Sequence, residues 1–362
     1  MLTDGPHRRF DPLRGEWVVV SPQRTARPWQ GQVERAETER APEYDPSCYL
    51  CPGNVRANGD RNPQYPWTFA FDNDFAALLP TSDPPSLGGP LHPSYGGPAA
   101  RDSLLVSTPE RGVCRVLCFH PRHDLTLARM DRPTIRRVID AWVGECASLA
   151  AIPWVQYALV FENRGAMMGA SNPHPHCQIW GTEHVPNEPS KETAALEAHR
   201  DRHGSCLLCA YADLEIASGE RVVCVNDHFA VVVPFWAEWP FETLVVARRH
   251  VDAMRDLDDA GRDGLADILK RLTIRYDNLF ETPFPYSMGF HQSLRADASG
   301  AAHLHAHFYP PLLRSATVRK FTVGFELLGS PQRDLTPEDA AARLQALDEV
   351  HYSGRSRAGA SR

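Results

Sequence analysis

Lysine is nearly missing from this chain. Lys191, Lys270 and Lys320 are the three that occur, so almost all of the 38 basic residues are arginine. The bias reads most simply as genomic base composition. It still makes chemistry centred on a lysine, such as a P-loop or a Schiff base, a poor expectation. Neither G-x-x-x-x-G-K-[ST] nor G-x-G-x-x-G occurs, so two common nucleotide cradles are absent. No apolar run approaches the roughly 18 residues of a membrane span, and no membrane partner is expected. The opening residues, MLTDGPHRRFDP, have no apolar core, so a cytoplasmic rather than exported chain is expected. Positive charge is in deficit. The 362 residues hold 45 Asp plus Glu against 38 Lys plus Arg, a net charge of −7. That is a poor field for displacing counterions from nucleic acid, so no nucleic-acid partner is expected. Pro and Gly, 31 and 24 residues, stay below the range of disordered chains.

What the chain does have is histidine, 16 residues, and cysteine, 9 residues. Without export, such cysteines read as thiols or metal ligands rather than disulfides. The length suffices for two medium domains or one large one. A Pro/Gly-rich stretch over residues 80–100 predicts a long loop, and residues 354–362 (GRSRAGASR) a frayed tail.

Between them lies an internal repeat of about 155 residues. The first copy opens with Cys48-Tyr-Leu-Cys51 and passes through Asp72-Asn-Asp-Phe75. A strand over 113–119 ends near His123. Asp131 then caps a helix with Ile135, Val138, Ile139, Trp142, Val143, Cys146 and Leu149 at helical spacing. A strand over 155–162, a Gly/Asn/Ser loop and His174-Pro-His176-Cys-Gln178 follow. The second copy opens with Cys206-Leu-Leu-Cys209 and passes through Val225-Asn-Asp-His-Phe229. A strand over 243–247 runs into His250. A helix from Asp258 or Asp259 carries Leu265, Ile268, Leu269, Leu272, Tyr276 and Leu279 on one stripe. A strand near 286–291, a loop and His303-Leu-His305-Ala-His307 complete it. Thr336-Pro337-Glu338-Asp339 predicts the start of a last helix. Strands, one helix, then strands, twice over, predict an α+β chain with a largely antiparallel sheet.

The first chemical constellation is Cys48, Cys51, His123 and His174. A C-x-x-C on a turn aims two thiolates at one point, and two distant imidazoles complete a tetrahedral shell for Zn²⁺. The plainer alternative is reduced cysteine packed as a small hydrophobe. The second is His174-Pro-His176-Cys-Gln178, preceded by Asn163-Arg-Gly165 and Gly169-Ala-Ser-Asn172. On a strand, His174, His176 and Gln178 share one face. The loop before them, with Gly165, Gly169, Ser171 and Asn172, offers backbone N–H groups and short polar side chains to phosphate oxygens. An imidazole beside such a cradle can attack phosphorus and form a phosphoramidate. The alternative is a metal site that uses every histidine on this face, which leaves His176 unassigned.

At these residues the chain resembles the galactose-1-phosphate uridylyltransferase family of the histidine-triad superfamily. The likeness is carried by FENRGAMMG, SNPHPHCQIW, CYLCPGN, FDNDFAALLP, WPFETL, RYDNLF, FPYSMGFH, LHAHFYPPLLRSATVRKF and QRDLT, from His7 to about His351. It implies two tandem histidine-triad-like repeats, mainly antiparallel half-barrel sheets flanked by helices. Residues 1–186 would hold the catalytic histidine. Residues 187–350 would hold a structural metal and a dimer-crossing segment, and 351–362 a disordered tail.

The resemblance also implies a double displacement in galactose metabolism, the Leloir pathway. His176 would attack the α-phosphorus of UDP-glucose and expel glucose 1-phosphate. Galactose 1-phosphate would then take the uridylyl group and leave as UDP-galactose. Related hydrolases place a third histidine where Gln178 stands. Gln178 can hydrogen-bond a phosphoryl oxygen but cannot relay a proton, which should disfavour water as acceptor. By matching motif, the uridylyl contacts would include Asn73, Asp74, Asn163, Gly169, Ser171 and Gln178, and Arg24 and Arg27 would reach a phosphate. Lys320, Phe321, Val323, Gly324, Phe325, Glu326 and Gln332 would enter the neighbouring subunit's site in a homodimer. Zinc is implied at the first set, and iron or zinc at Glu192, His291, His305 and His307. Glu192 alone would otherwise read as a solvated helix start.

Some family members lack the second C-x-x-C. Here the repeat supplies Cys206, Cys209, His250 and His303 as counterparts of the first set, and a further zinc site is expected there, with His199 and His203 as rival ligands. Two rival functions accompany this reading. One is a nucleotide hydrolase or nucleotidyl phosphorylase acting from His303, His305 and His307. The other is a non-enzymatic zinc interaction protein.

Overall fold

The computed structural model describes residues 5–26, 41–81, 108–295 and 299–355. Arg27, most of the 80–100 stretch and the end of the tail lie outside the described residues. In chain order the elements are β1 (His7–Asp11), β2 (Glu16–Val20), β3 (Phe69–Asp72), β4 (Gly112–Cys118), α1 (Arg132–Ala150), β5 (Tyr157–Arg164), β6 (His176–Thr182) and α2 (Asn187–His203). There follow α3 (Leu207–Ser218), β7 (Val222–Val225), β8 (Phe229–Val232), β9 (Thr243–Ala247), α4 (Asp259–Leu279), β10 (Tyr286–His291) and β11 (His305–Tyr309). Last come β12 (Leu312–Ser315), β13 (Val318–Arg319), α5 (Phe325–Leu328), β14 (Gln332–Arg333) and α6 (Pro337–Gln345). Among the described residues no helix is long and apolar enough to cross a membrane.

One nine-stranded sheet has the order β3-β4-β6-β5-β10-β11-β9-β8-β7. All its pairs are antiparallel. The order is nearly a mirror: β3, β4, β6 and β5 of the first copy answer to β8, β9, β11 and β10 of the second. The copies meet at the β5–β10 seam, where Ser287 pairs with Asn163 and Gly289 with Phe161. β1, β2 and β14 form a small separate sheet in which β14 runs parallel to β2.

Helix α1 starts where Asp131 accepts a hydrogen bond from the Thr134 N–H (2.9 Å), and α4 where Asp258 accepts from Gly261 (2.8 Å). These caps satisfy N–H groups that the first helical turn leaves unpaired. Of the stripes predicted from spacing, Ile135, Val138, Ile139, Trp142 and Leu149 on α1 and Leu265, Ile268, Leu269, Leu272 and Tyr276 on α4 are buried, while Val143, Cys146 and Leu279 are half-buried. The two helices share one core with alternate sheet residues: Leu117, Val160, Cys177, Ile179, Val245, Ala306 and Phe308. The other residues of those strands face away from α1 and α4. On that face α2 and α3 cover β8 and β9, burying Leu196 and Leu208 against Val232, Leu244 and Val246. Cys48, Leu50, Cys51 and Tyr65 cover Val116 and Cys118 of β4. β9 is buried on both sides, which is why its sequence, TLVVA, lacks alternation.

Two strands start two residues later than the sequence expectation. β5 begins at Tyr157, because the Val155 N–H closes a turn onto Ile152 (3.1 Å). β6 begins at His176 rather than His174. Pro175 has no N–H to give to a ladder, and the His174 N–H bonds the Asn172 side chain at 2.8 Å.

Candidate active site and metal centres

His176, Gln178 and Trp180 project from β6 on the face opposite α1, since Cys177 and Ile179 between them fill the core. The His176 Nδ1–H donates to the carbonyl of His174 at 2.7 Å. A carbonyl only accepts, so Nδ1 carries the proton and Nε2 keeps its lone pair. Burial pushes the His176 pKa below its ordinary value, against the pull of that carbonyl. That contact fixes the tautomer of the ring and leaves Nε2 as its unprotonated nitrogen.

A small cavity of about 40 Å³ adjoins it, lined by Phe161, Asn163, Gly169, Ala170, Ser171, His176, Cys177 and Gln178. Two amides in this wall are oriented from outside it. The Trp180 indole N–H donates to Gln178 Oε1 (3.0 Å), and the Ser287 hydroxyl to Asn163 Oδ1 (2.7 Å). Each carbonyl end is engaged, so each amide keeps its NH₂ donors for another partner.

The loop between β5 and β6 departs from the expected cradle. Its Met168, Gly169 and Ala170 N–H groups bond back to Gly165 and Ala166 carbonyls at 3.0, 3.0 and 3.3 Å. Asn172 turns away and meets Cys48 Sγ at 3.4 Å. The loop's contribution is therefore shape and the Ser171 side chain rather than a ring of N–H donors. Its geometry depends on Gly165, at φ +83°, where an added Cβ would lie 3.0 Å from Pro285 Cβ. Gly165→Ala is expected to cost about 1–3 kcal/mol of stability and to lower activity. Gly169→Ala, with open space around its Cβ, should cost less. Denaturant titration of both variants checks the order.

Cys48, Cys51, His123 and His174 are all buried, and their ligand atoms lie within 4.8 Å of one another. Cys51 Sγ is 3.6 Å from His123 Nδ1 and 3.5 Å from His174 Nδ1. Tyr65 gives its proton to the Leu50 carbonyl (2.6 Å), so it accepts from His174 Nε2–H (3.1 Å). That leaves His174 Nδ1 unprotonated toward the thiols, as a metal ligand requires.

Glu192, His291, His305 and His307 form a second set within the same 4.8 Å limit. Glu192 is buried on α2, not solvated. Its Oε2 lies 2.5 Å from His291 Nδ1 and 3.2 Å from His305 Nε2, and its Oε1 3.2 Å from His307 Nε2. Burial would raise the Glu192 pKa, but His307 and His291 hold it well below the carboxylate range. His305 Nδ1 donates to the His303 carbonyl (2.6 Å), so its Nε2 faces Glu192 as an acceptor. His307 Nε2 is buried without a hydrogen-bond partner. Acceptors gathered around an orphaned ring nitrogen fit a cation held by nitrogen and carboxylate.

Cys206, Cys209, His250 and His303 also come together within 4.8 Å. His199 and His203 stand outside that set, with ring centroids 4.5 Å apart.

Arg24, Lys320, Phe321, Val323, Phe325, Glu326 and Gln332 line a different cavity, of about 550 Å³. Within the chain Arg24 pairs with Asp334 (3.2 Å), and Lys320 pairs with Glu326 (3.0 Å). α5 and the residues before it leave Val323, Phe325, Leu327 and Leu328 largely exposed, Leu328 at 88%. Asn73 and Asp74 follow β3, two strands from β6, and are not among the residues lining the cavity at His176. Gly324 stands before α5 at φ +59°.

Sequence reasoning missed Tyr65, Trp180 and Ser287, the residues that orient His174, Gln178 and Asn163. Trp180 was within reach of period-2 reading, two residues beyond Gln178 on one face. The other two meet their partners through tertiary pairing across 109 and 124 residues.

Comparisons with known proteins agree in one direction. The family model described as galactose-1-phosphate uridyl transferase, N-terminal domain, matches residues 2–186, and that for the C-terminal domain matches 192–356. Galactose-1-phosphate uridylyltransferase of Rattus norvegicus is 51% identical over 351 residues, covering 96% of this chain and 89% of that protein. The protein of the same name from Haemophilus influenzae is 48% identical over 357 residues, 98% of each. A solved structure described as that of a uridylyltransferase matches with a TM-score of 0.72 at 27% identity, over 94% of this chain and 97% of the other.

Proposed function

This chain belongs to the galactose-1-phosphate uridylyltransferase family, and from that premise we propose that it transfers a uridylyl group from UDP-glucose to galactose 1-phosphate through His176. The observation that carries the reading is the His176 ring. Its Nδ1–H rests on the His174 carbonyl, its Nε2 lone pair is available, and it sits beside a cavity with two oriented amides.

In the first half-reaction, Nε2 attacks the α-phosphorus of UDP-glucose. An N–P bond forms as the bond to the bridging oxygen breaks, and glucose 1-phosphate leaves. The positive charge on the ring is relieved through Nδ1–H and the His174 carbonyl. In the second, a phosphate oxygen of galactose 1-phosphate attacks the same phosphorus. The N–P bond breaks, UDP-galactose leaves, and His176 is neutral again. The NH₂ ends of Gln178 and Asn163 are suited to hold non-bridging oxygens in both steps. Favouring His176 over His305 as nucleophile is the packing of His305 and His307 against Glu192.

Cys48, Cys51, His123 and His174 would hold zinc, and Glu192, His291, His305 and His307 iron or zinc. Zinc in the first set would add rigidity at the residue that orients the nucleophile, since His174 belongs to that set and its carbonyl fixes His176. A homodimer is part of the proposal. The exposed Val323, Phe325, Leu327 and Leu328, continuous with the cavity at Lys320 and Arg24, suit a face that a second copy covers. On this reading residues 1–186 carry the nucleophile and 187–350 the second metal set and the crossing segment. None of the nine cysteines is paired in a disulfide, which suits a reducing cytoplasm.

The test is isotope exchange between UDP-glucose and labelled glucose 1-phosphate without galactose 1-phosphate. Exchange is expected in the wild type and not in His176→Ala; no exchange in the wild type would refute the covalent route. Gln178→His adds a group that can relay a proton to or from water. It is expected to raise hydrolysis of UDP-glucose and lower transfer, read as UMP against UDP-galactose formed.

A further inference from the structure

We propose that Cys206, Cys209, His250 and His303 form a further closed, tetrahedral metal site for Zn²⁺ or a soft divalent ion of that class, stapling the start of α3 to the sheet. The residues come from three places. Cys206 caps α3 and Cys209 lies in its first turn. His250 follows β9, and His303 precedes β11. No local turn explains their meeting, because His303 is 97 and 94 residues from the two cysteines.

Each side chain presents the atom a metal needs. His303 Nε2–H donates to the Ala247 carbonyl at 2.8 Å, so its Nδ1 carries the lone pair. That Nδ1 faces Cys206 Sγ at 3.3 Å and Cys209 Sγ at 3.5 Å. His250 Nδ1 faces Cys209 Sγ at 3.6 Å, while its Nε2 lies 3.5 Å from the Asp252 carboxylate. An outward ring nitrogen held by a carbonyl or carboxylate, with the inward one bare, is the outer-shell pattern of metal-bound histidine.

The distances also repeat those of the first set, where Cys51 Sγ stands 3.6 and 3.5 Å from its two Nδ1 atoms. Two thiolates and two neutral imidazoles give a charge of about −2, matched to one divalent ion. Four protein ligands leave no open position, so the role is structural. The site ties the short link between α2 and α3 to β9 and β11, and α2 is the helix that carries Glu192. It differs from the first set in exposure: the His250 side chain is 35% exposed, whereas the first set is wholly buried.

The proposal stands apart from the transfer reaction and is tested apart from it, on the full chain supplied with Zn²⁺. Metal content per chain is measured for wild type and for Cys206→Ser/Cys209→Ser. The variant is expected to carry one equivalent fewer, with transfer activity retained. Equal metal content in the two proteins overturns the proposal. A second readout needs no variant: alkylation of Cys206 and Cys209 in the wild type, mapped by mass spectrometry. Both thiols should be protected with Zn²⁺ and labelled after chelation. Labelling at the same rate in both conditions, or a Cys206–Cys209 disulfide in the metal-supplied protein, overturns it.

Discussion

Replacing His176 with alanine is expected to lower uridylyl transfer by a factor on the order of 10,000 or more, the scale seen when a covalent nucleophile is removed. The substitution leaves no other group in the cavity wall able to form a covalent bond to phosphorus at neutral pH. Phe161, Gly169 and Ala170 carry no nucleophile, the Ser171 hydroxyl has no general base among the cavity-lining residues once His176 is gone, Asn163 and Gln178 are amides, and burial raises the Cys177 thiol well above its ordinary range. The fold should survive, because His176 projects from the face opposite the α1 core, whose contacts come from Cys177 and Ile179. His176→Asn separates positioning from nucleophilicity, since the amide can still donate to the His174 carbonyl but cannot attack phosphorus. It should be as inactive as alanine. An unchanged thermal transition with more than a tenth of wild-type transfer in either variant would remove His176 from the mechanism.

Asp277→Ala is expected to be the most destabilising single substitution, by about 3–5 kcal/mol, the cost of leaving a buried charge without its partner. Asp277 lies on α4 and is 1% exposed. Its Oδ2 accepts from Arg164 Nη2 at 2.9 Å and from His351 Nε2 at 3.1 Å, and its Oδ1 from the Phe284 N–H at 2.9 Å. Removing the carboxylate strands the Arg164 guanidinium, which is 8% exposed, at the end of β5, one residue before Gly165. The damage should therefore reach the loop at the active site as well as the junction between copies. Burial would raise the Asp277 pKa, but Arg164, with help from His351, holds it below the carboxylate range. The native pKa thus lies below the unfolded value of about 3.9. Its contribution is present above pH ~3.9 and is lost as pH falls through the native pKa. The gap in stability between wild type and Asp277→Asn should accordingly be constant near neutrality and shrink in acid. Thermal melts across pH measure it, and a gap that widens in acid would contradict the assignment.

Much of this architecture was legible in the chain because the physics there is local. The α1 and α4 stripes follow from period 3.6, with Asp131 and Asp258 as caps, and the common face of His176 and Gln178 follows from period 2. The repeated order of Cys-x-x-Cys, His and His pointed to both four-residue sulfur and nitrogen sets. What stayed hidden depends on pairing between distant strands. The β5–β10 seam brings Ser287 to Asn163, and Tyr65 reaches His174 from a segment 109 residues away. The direction of the loop N–H groups is not encoded, because Gly165 and Gly169 suit a phosphate cradle and a self-bonded turn equally well. The structure has the second. Asn172 shows the same limit: its side chain serves the cysteine set, a choice of direction that spacing does not encode.

The central claim is that a covalent uridylyl group resides on His176, and it is tested most directly by trapping it. The wild-type chain is incubated with UDP-glucose labelled at the α-phosphorus, without galactose 1-phosphate, then denatured in base, digested and mapped. Label is expected on the peptide containing His174-Pro-His176, stable to base and released by acid as a phosphoramidate, and discharged when galactose 1-phosphate is added before denaturation. Label on the peptide of His303, His305 and His307, or labelled UMP in solution with none on protein, would contradict the account.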